Sequence, residues 1–223
     1  MKLLLKIARL ALIPVLPLLI ISGVIAFAFN FQPLYEYGFH RYDVGATTGL
    51  ADSELSKAAR GLISYFNSNE EFISATVQKN GDTIQLFNDR EIEHLYDVKG
   101  LIKLDYRVFV ISLLYTAVVS GIMRYRRQFR HLAAPMFWGG TLTLAVLIVV
   151  SATAASNFDA FFTRFHQFSF ANDFWLLDPT KDYLIMLFPG GFWQDASIFI
   201  ALLIGTVSIV VTLIGWRNLN RDN

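Results

Sequence analysis

Two histidines, His94 and His166, are the side chains of this 223-residue chain best suited to chemistry. His94 lies in EIEHLYD, with Glu91 one helical turn before it and Asp97 one turn after. His166 lies in residues 161–193, FFTRFHQFSFANDFWLLDPTKDYLIMLFPGGFW, followed by Asn172, Asp173, Asp178 and Asp182. Imidazole takes and gives a proton near neutrality, because its ordinary pKa is about 6.5. Three chemistries fit such a pair. A metal hydrolase would use both histidines and an aspartate as ligands, but the spacing matches no metal motif and HExxH is absent. A serine hydrolase would pair Ser156 or Ser169 with a histidine, but there is no GxSxG elbow. General acid–base catalysis by two histidines, with no covalent enzyme intermediate, needs neither motif. Of the other histidines, His131 reads as part of a solvated arginine-rich loop, and His40, beside Arg41 and Asp43, reads as structural. The chain has no cysteine, which excludes a thiolate nucleophile, a thiolate metal site and a disulfide staple.

The elements that position these residues are membrane helices. Hydrophobic residues make up 54% of the chain and charged residues 17%, against about 45–50% and 25% in soluble domains. Four apolar blocks, at about 10–29, 108–123, 132–155 and 196–216, approach the roughly 17–25 residues a spanning helix needs. The fold class is therefore a polytopic α-helical membrane protein, with four transmembrane helices and a small mixed α/β extracytoplasmic cap. The expected order is a first membrane helix within 1–29, a cap over 30–104 and a second span over 105–125. A short loop over 126–131, a third span over 132–155 and an aromatic loop over 156–195 follow. A fourth span over 196–216 and a tail over 217–223 complete it. Pro14 and Pro17 are expected in the first turns of the first span. That block resembles a signal peptide at its basic start, but its apolar run is long and predicts a retained helix.

Charge sets the orientation. Lys2, Lys6 and Arg9, then Arg124, Arg126, Arg127 and Arg130, then Arg217 and Arg221, all fall on one side of a four-span chain. Both termini are thus expected in the cytoplasm. The segments 30–106 and 156–195 hold twelve and five acidic residues, 17 of the 18 in the chain, so they are expected on the outer face. The basic clusters read as topology signals beside lipid headgroups, and nucleic acid is not an expected partner.

Within the outer segments, residues 52–67 have helical spacing, with Asp52 or Ser53 as the expected N-cap. Residues 72–77 and 83–87 read as strands of a hairpin about Asn80-Gly81. Asn88 and Glu91 form a capping box for a helix carrying His94, which Gly100 is expected to bend. Phe158, Phe161, Phe162, Phe165 and Phe168 predict an amphipathic helix in the membrane interface. Pro179, Pro189, Gly190 and Gly191 punctuate a turn and the re-entry into the fourth span.

The motifs DREIEHLYDVK (89–99) and FHQFSFANDFWLLDPTKDYLIMLFPGGFW (165–193), in this order of spans and loops, resemble a bacterial integral membrane family. That family includes the lipoprotein intramolecular transacylase, Lit. The resemblance covers nearly the whole chain, although its specific residues are confined to the two motifs. It implies transfer of the sn-2 acyl chain of a diacylglyceryl lipoprotein to the α-amino group of its N-terminal cysteine. The product is a lyso-form lipoprotein, and the implied partners are that lipoprotein and membrane lipid. No metal or other cofactor is implied. The family's two essential histidines fall on His94 and His166. On this reading Asp97 or Asp173 holds a histidine tautomer and Asn172 supports the oxyanion, with Asp182 as a further positioning group. Phe161, Phe162, Phe165 and Trp175 line an acyl groove. The competing readings are a non-catalytic lipid-binding or scaffold protein and a diverged membrane acyltransferase or hydrolase. Geometry discriminates: two imidazoles more than about 10 Å apart do not share a proton-transfer site.

Overall fold

A computed structural model of the chain describes residues 2–220. Arg221, one of the charges invoked for orientation, lies outside the described residues. Four helices are long and apolar enough to cross a membrane: α1 (Lys2–Asn30), α5 (Asp89–Tyr125), α6 (Ala133–Ser156), which a 3-10 turn over Phe129–Leu132 extends, and α9 (Gly190–Leu219). Between them lie α2 (Gln32–Arg41), α3 (Val44–Thr48), α4 (Asp52–Asn67), β1 (Thr76–Lys79), β2 (Asp82–Gln85), α7 (Phe158–Ser169) and α8 (Tyr183–Leu187). The chain packs as two compact units. The spanning unit comprises the chain up to Ala26, Asp105–Ser156, and the chain from Phe199 onward; the mixed unit comprises Phe27–Leu104 and Asn157–Ile198.

In the spanning unit Leu12, Val119, Met123 and Leu132 form a buried cluster, and Tyr115 donates its hydroxyl to the Ala8 carbonyl at 2.8 Å. Ile111, Leu114, Ile148, Val149, Leu202 and Leu213 are exposed, as suits a lipid solvent. Small residues let helices approach. Gly139 packs against Leu16 and the Ile13 carbonyl, an acceptor that Pro17 leaves without its helical N–H. The two prolines thus differ from expectation. Because α1 starts at Lys2, Pro14 and Pro17 lie in its interior rather than its first turns.

The mixed unit begins with α2 and α3, two short helices that hydropathy had not singled out. Tyr35, Gly38 and Phe39 of α2 are buried, one face of a helix. α4 buries Leu55, Ala58, Ala59, Leu62, Tyr65 and Phe66. Its N-cap is Ala51, with no side-chain hydrogen bond, so Asp52 and Ser53 sit inside the first turn instead of capping it. The hairpin pairs Thr76 with Gln85 and Lys79 with Asp82 around Asn80-Gly81. Both turn residues have positive φ, 55° and 92°, as a type I′ turn requires. The paired segments are shorter than the apolar runs, because Ile73, Leu86 and Phe87 go into the core outside the ladder.

Two further boundaries moved. α5 is one helix of 37 residues with no break at Gly100. At 1.5 Å per residue it is roughly 55 Å long, well beyond a hydrocarbon core of about 30 Å. Its apolar part after Asp105 serves as the span; its first four turns belong to the mixed unit. α9 starts at Gly190, directly after Pro189 and earlier than the apolar block at 196.

Candidate active site

The site is built from the start of α5 and from α7 with the loop after it. Asn88 and Glu91 open α5 as a reciprocal capping box: Glu91 Oε2 accepts from the Asn88 N–H at 2.8 Å, and Asn88 Oδ1 accepts from the Glu91 N–H at 3.1 Å. His94 follows one turn later and is 6% exposed. α7 is capped by Asn157, whose side chain accepts from the Ala160 N–H at 2.9 Å. His166 is the one buried residue of α7, at 7% exposed. Phe168, on the same helix, is 93% exposed. The helix therefore turns its histidine inward and a phenylalanine outward, as an interfacial helix does.

The two imidazole rings lie with centroids 5.9 Å apart, tilted by 32°. Aromatic rings enclose them. Phe162 meets His166 at 4.3 Å, Trp175 at 5.0 Å, Phe165 at 5.4 Å and Phe170 at 5.6 Å. Phe170 also meets His94, the two rings steeply inclined with centroids 5.1 Å apart. His166 Nδ1 lies 2.8 Å from the Phe162 carbonyl oxygen. A carbonyl only accepts, so Nδ1 carries the proton and Nε2 of the neutral ring is an acceptor. His94 Nδ1 is buried with no hydrogen-bond partner. Burial, and secondarily the neighbouring His166, push the pKa of His94 down to about 4. Burial lowers that of His166 as well, opposed by its bond to the Phe162 carbonyl. Both rings are therefore neutral at neutral pH.

Other residues singled out in the sequence have these places. Asn172 donates its side-chain amide to Asp97 Oδ2 at 2.8 Å, and its own oxygen accepts from the Phe174 N–H at 3.1 Å. The Asp173 carbonyl accepts from the Arg90 guanidinium. Asp182 is buried; its oxygens accept from the Asn88 amide at 2.9 Å and the Asp178 N–H at 2.7 Å. Asp178 accepts from the Thr180 N–H and hydroxyl, a local turn. Phe161 lies against Phe158 at 6.4 Å, and Phe165 is 46% exposed. Ser156 donates to the Thr153 carbonyl at the end of α6. His40 and His131 are exposed. Among the described residues, no three His, Asp or Glu side chains gather as a metal-ligand set. Phe170 and Trp193 were not foreseen as site residues. Trp193 packs on Phe162 at 5.7 Å, and both aromatics lie within the quoted motif.

A sequence model of the family described as lipoprotein intramolecular transacylase Lit matches residues 10–193. The chain belongs to the Lit family. A similar protein of Aquifex aeolicus (strain VF5), itself uncharacterized, is 28% identical over 198 residues, 87% of this chain and 86% of that one. The crystal structure of the membrane-integral lipoprotein intramolecular transacylase Lit from Bacillus cereus superposes with a TM-score of 0.83 at 18% identity. It covers 100% of this chain and 99% of that one. A histidine-to-arginine variant of the same Bacillus cereus protein gives a TM-score of 0.77 at 18% identity, over 99% and 94% of the two chains. These superpositions establish the Lit fold: a membrane-integral, mostly helical protein with four spanning helices and a small two-stranded sheet. Family membership makes the chain one of an acyltransferase-like enzyme family that works on lipoproteins in the membrane.

Proposed function

We propose that this chain moves the sn-2 acyl chain of an S-diacylglyceryl-cysteine lipoprotein to the α-amino group of the N-terminal cysteine, leaving a lyso-form lipoprotein. The observation that carries the reading is the pair of buried, neutral imidazoles 5.9 Å apart, well inside the distance at which a shared site fails. Ester and amine belong to one substrate molecule, so the protein need only fold it into a reactive pose; well-oriented intramolecular reactions reach effective molarities of about 10⁵–10⁸ M. No nucleophilic side chain is required.

His166 is the general base. Its Nε2 is the free acceptor, and the Phe162 carbonyl stabilises the imidazolium that forms. Phe162 and Trp175 pack against the same ring, with centroids 4.3 and 5.0 Å away, and hold it in place. The amine nitrogen attacks the ester carbonyl, and His166 takes its proton. The carbon–oxygen bond then breaks, and that proton passes to the departing glycerol oxygen. His94, neutral throughout, donates a hydrogen bond to the developing oxyanion. The amide forms, the ester is lost, and no net proton is exchanged with water. Aromatic side chains including Phe161, Phe162, Phe165 and Trp175 line the acyl chain's path. Asp97, Asn172, Asp173 and Asp182 hold the loops that carry these rings. The segregation of basic and acidic residues supports a site on the outer face of the bacterial cytoplasmic membrane, with both termini inside.

The test is expression in cells lacking endogenous N-acylation of lipoproteins, with mass spectrometry of the N-terminal lipopeptide. The expected product has one acyl chain on nitrogen and one on glycerol. An unchanged diacyl form with a free amine overturns the reading.

A further inference from the structure

Glu91 is 1% exposed although it is a carboxylate, and the proton transfer does not use it. Its Oε2 accepts from the Asn88 N–H at 2.8 Å, and its Oε1 accepts from the Leu184 N–H at 2.6 Å. A capping box needs only the first bond, which an exposed glutamate makes equally well. Burying a carboxylate is costly unless donors surround it. Buried Asp182 adds a like charge nearby. The fold keeps the group where it ties α5 to α8. Asn88 strengthens the tie through its amide, which donates to Asp182 Oδ1.

From α8 the packing leads to the second histidine. Phe188, just past α8, meets Trp193 at 6.2 Å; Trp193 lies on Phe162, which meets His166 at 4.3 Å. On α5, Glu91 and His94 share a face one turn apart. His94 Nδ1 is held by no hydrogen bond, so the ring depends on its place on α5 and on its packing against Phe170.

We propose that Glu91 is a positioning residue for His94: its carboxylate clamps the first turn of α5 to α8 and so fixes one imidazole against the other. The proposal rests on the reading of His94 as catalytic. It requires a carboxylate because both partners are N–H donors. Glutamine offers one acceptor oxygen and turns the other contact into N–H against N–H. Glu91→Gln, nearly isosteric, therefore opens one arm of the clamp.

The test uses the full chain in lipid nanodiscs with histidine-selective ¹⁵N labelling and a diacylglyceryl lipopeptide substrate. Glu91→Gln is expected to lower kcat about 10- to 100-fold, as a misplacement near 1 Å does, with KM within about twofold of wild type. The His94 ring resonances shift with it. An unchanged kcat, or a lowered kcat with unmoved His94 resonances, overturns the proposal. Should Glu91→Gln fail to fold, amide exchange in the wild type decides. The Leu184 N–H is expected to be protected like the interior of α5, and exchange at the rate of an exposed loop overturns the clamp. If the wild type transfers no acyl chain while Glu91→Gln still moves the His94 ring, the transacylase reading falls and the positioning role stands.

Discussion

Asp97 Oδ2 accepts a hydrogen bond from Asn172 Nδ2 at 2.8 Å, which fastens the loop after α7 to the helix that carries His94. That loop brings Trp175 to 5.0 Å from His166. The bond therefore bears on the histidine pair through the position of an indole. Asn172→Ala and Asp97→Ala each release the loop, and each is expected to lower kcat about tenfold, the effect of one charge-assisted bond of roughly 1.5 kcal/mol. Because both remove the same bond, and Asn172→Ala also frees the Phe174 N–H, the double variant should lose no more than Asn172→Ala alone. Additive losses in the lipopeptide assay would mean that the two residues act separately.

Substitution at the histidines should separate chemistry from stability. Loss of either is expected to lower acyl transfer at least 10²-fold, the low end for a general acid–base group. His94 also leaves a buried ring nitrogen without a partner, a feature that costs about 1–3 kcal/mol. His94→Leu should therefore raise the thermal midpoint while abolishing activity. A destabilised His94→Leu protein would show that Nδ1 is satisfied in the membrane.

The lowered histidine pKa values give stability a sign with pH. Below about pH 6.5 the unfolded chain takes up protons that the buried rings refuse, so stability falls as pH falls. For His94 the loss continues down to about pH 4, at up to roughly 1.4 kcal/mol per pH unit. Thermal midpoints measured from pH 7.5 to 5 should fall less steeply in His94→Leu than in wild type; equal slopes would contradict a neutral, buried His94. Activity has a different limit. Both rings are already neutral above pH 6.5, so kcat/KM should rise until the substrate's α-amino group, with a pKa near 8, is deprotonated.

What the sequence made legible is what is local. The apolar blocks, the Asn80-Gly81 turn, the Asn88–Glu91 box and the phenylalanine spacing of α7 are each written within a few turns of chain. α2 carried a signal of the same kind, Tyr35, Gly38 and Phe39 on one face after Pro33, but its weak hydropathy hid it. Residues 52–53 have the types that favour a cap, yet the cap is Ala51, and Asp52 and Glu54 lie in the first turn. The nearness of His94 and His166 was only an inference from topology. The bond from Glu91 to the Leu184 backbone, which joins distant parts of the chain, has no sequence signature, since any residue but proline supplies that N–H.

Two glycines set the contact between α6 and α9 in the spanning unit. A Cβ on Gly215 would fall on the backbone nitrogen of Phe137, with the Ala133 carbonyl and Phe137 Cα each 2.8 Å away, so α9 meets α6 backbone to backbone. A Cβ on Gly140 would strike the Thr212 hydroxyl and lie 3.0 Å from the Ser208 carbonyl. Such close approach supplies dispersion contact where lipid tails leave no hydrophobic drive for helices to associate. Backbone cannot rotate aside as a side chain can, so Gly215→Ala must push the helices apart at a cost of about 1–3 kcal/mol. The expected result is a lower thermal midpoint for Gly215→Ala in detergent. Gly100→Ala is the control: a Cβ there meets nothing within 4 Å, and alanine in place of a helical glycine should stabilise by up to about 1 kcal/mol. Equal midpoints for the two variants would show that α6 and α9 do not touch at Gly215.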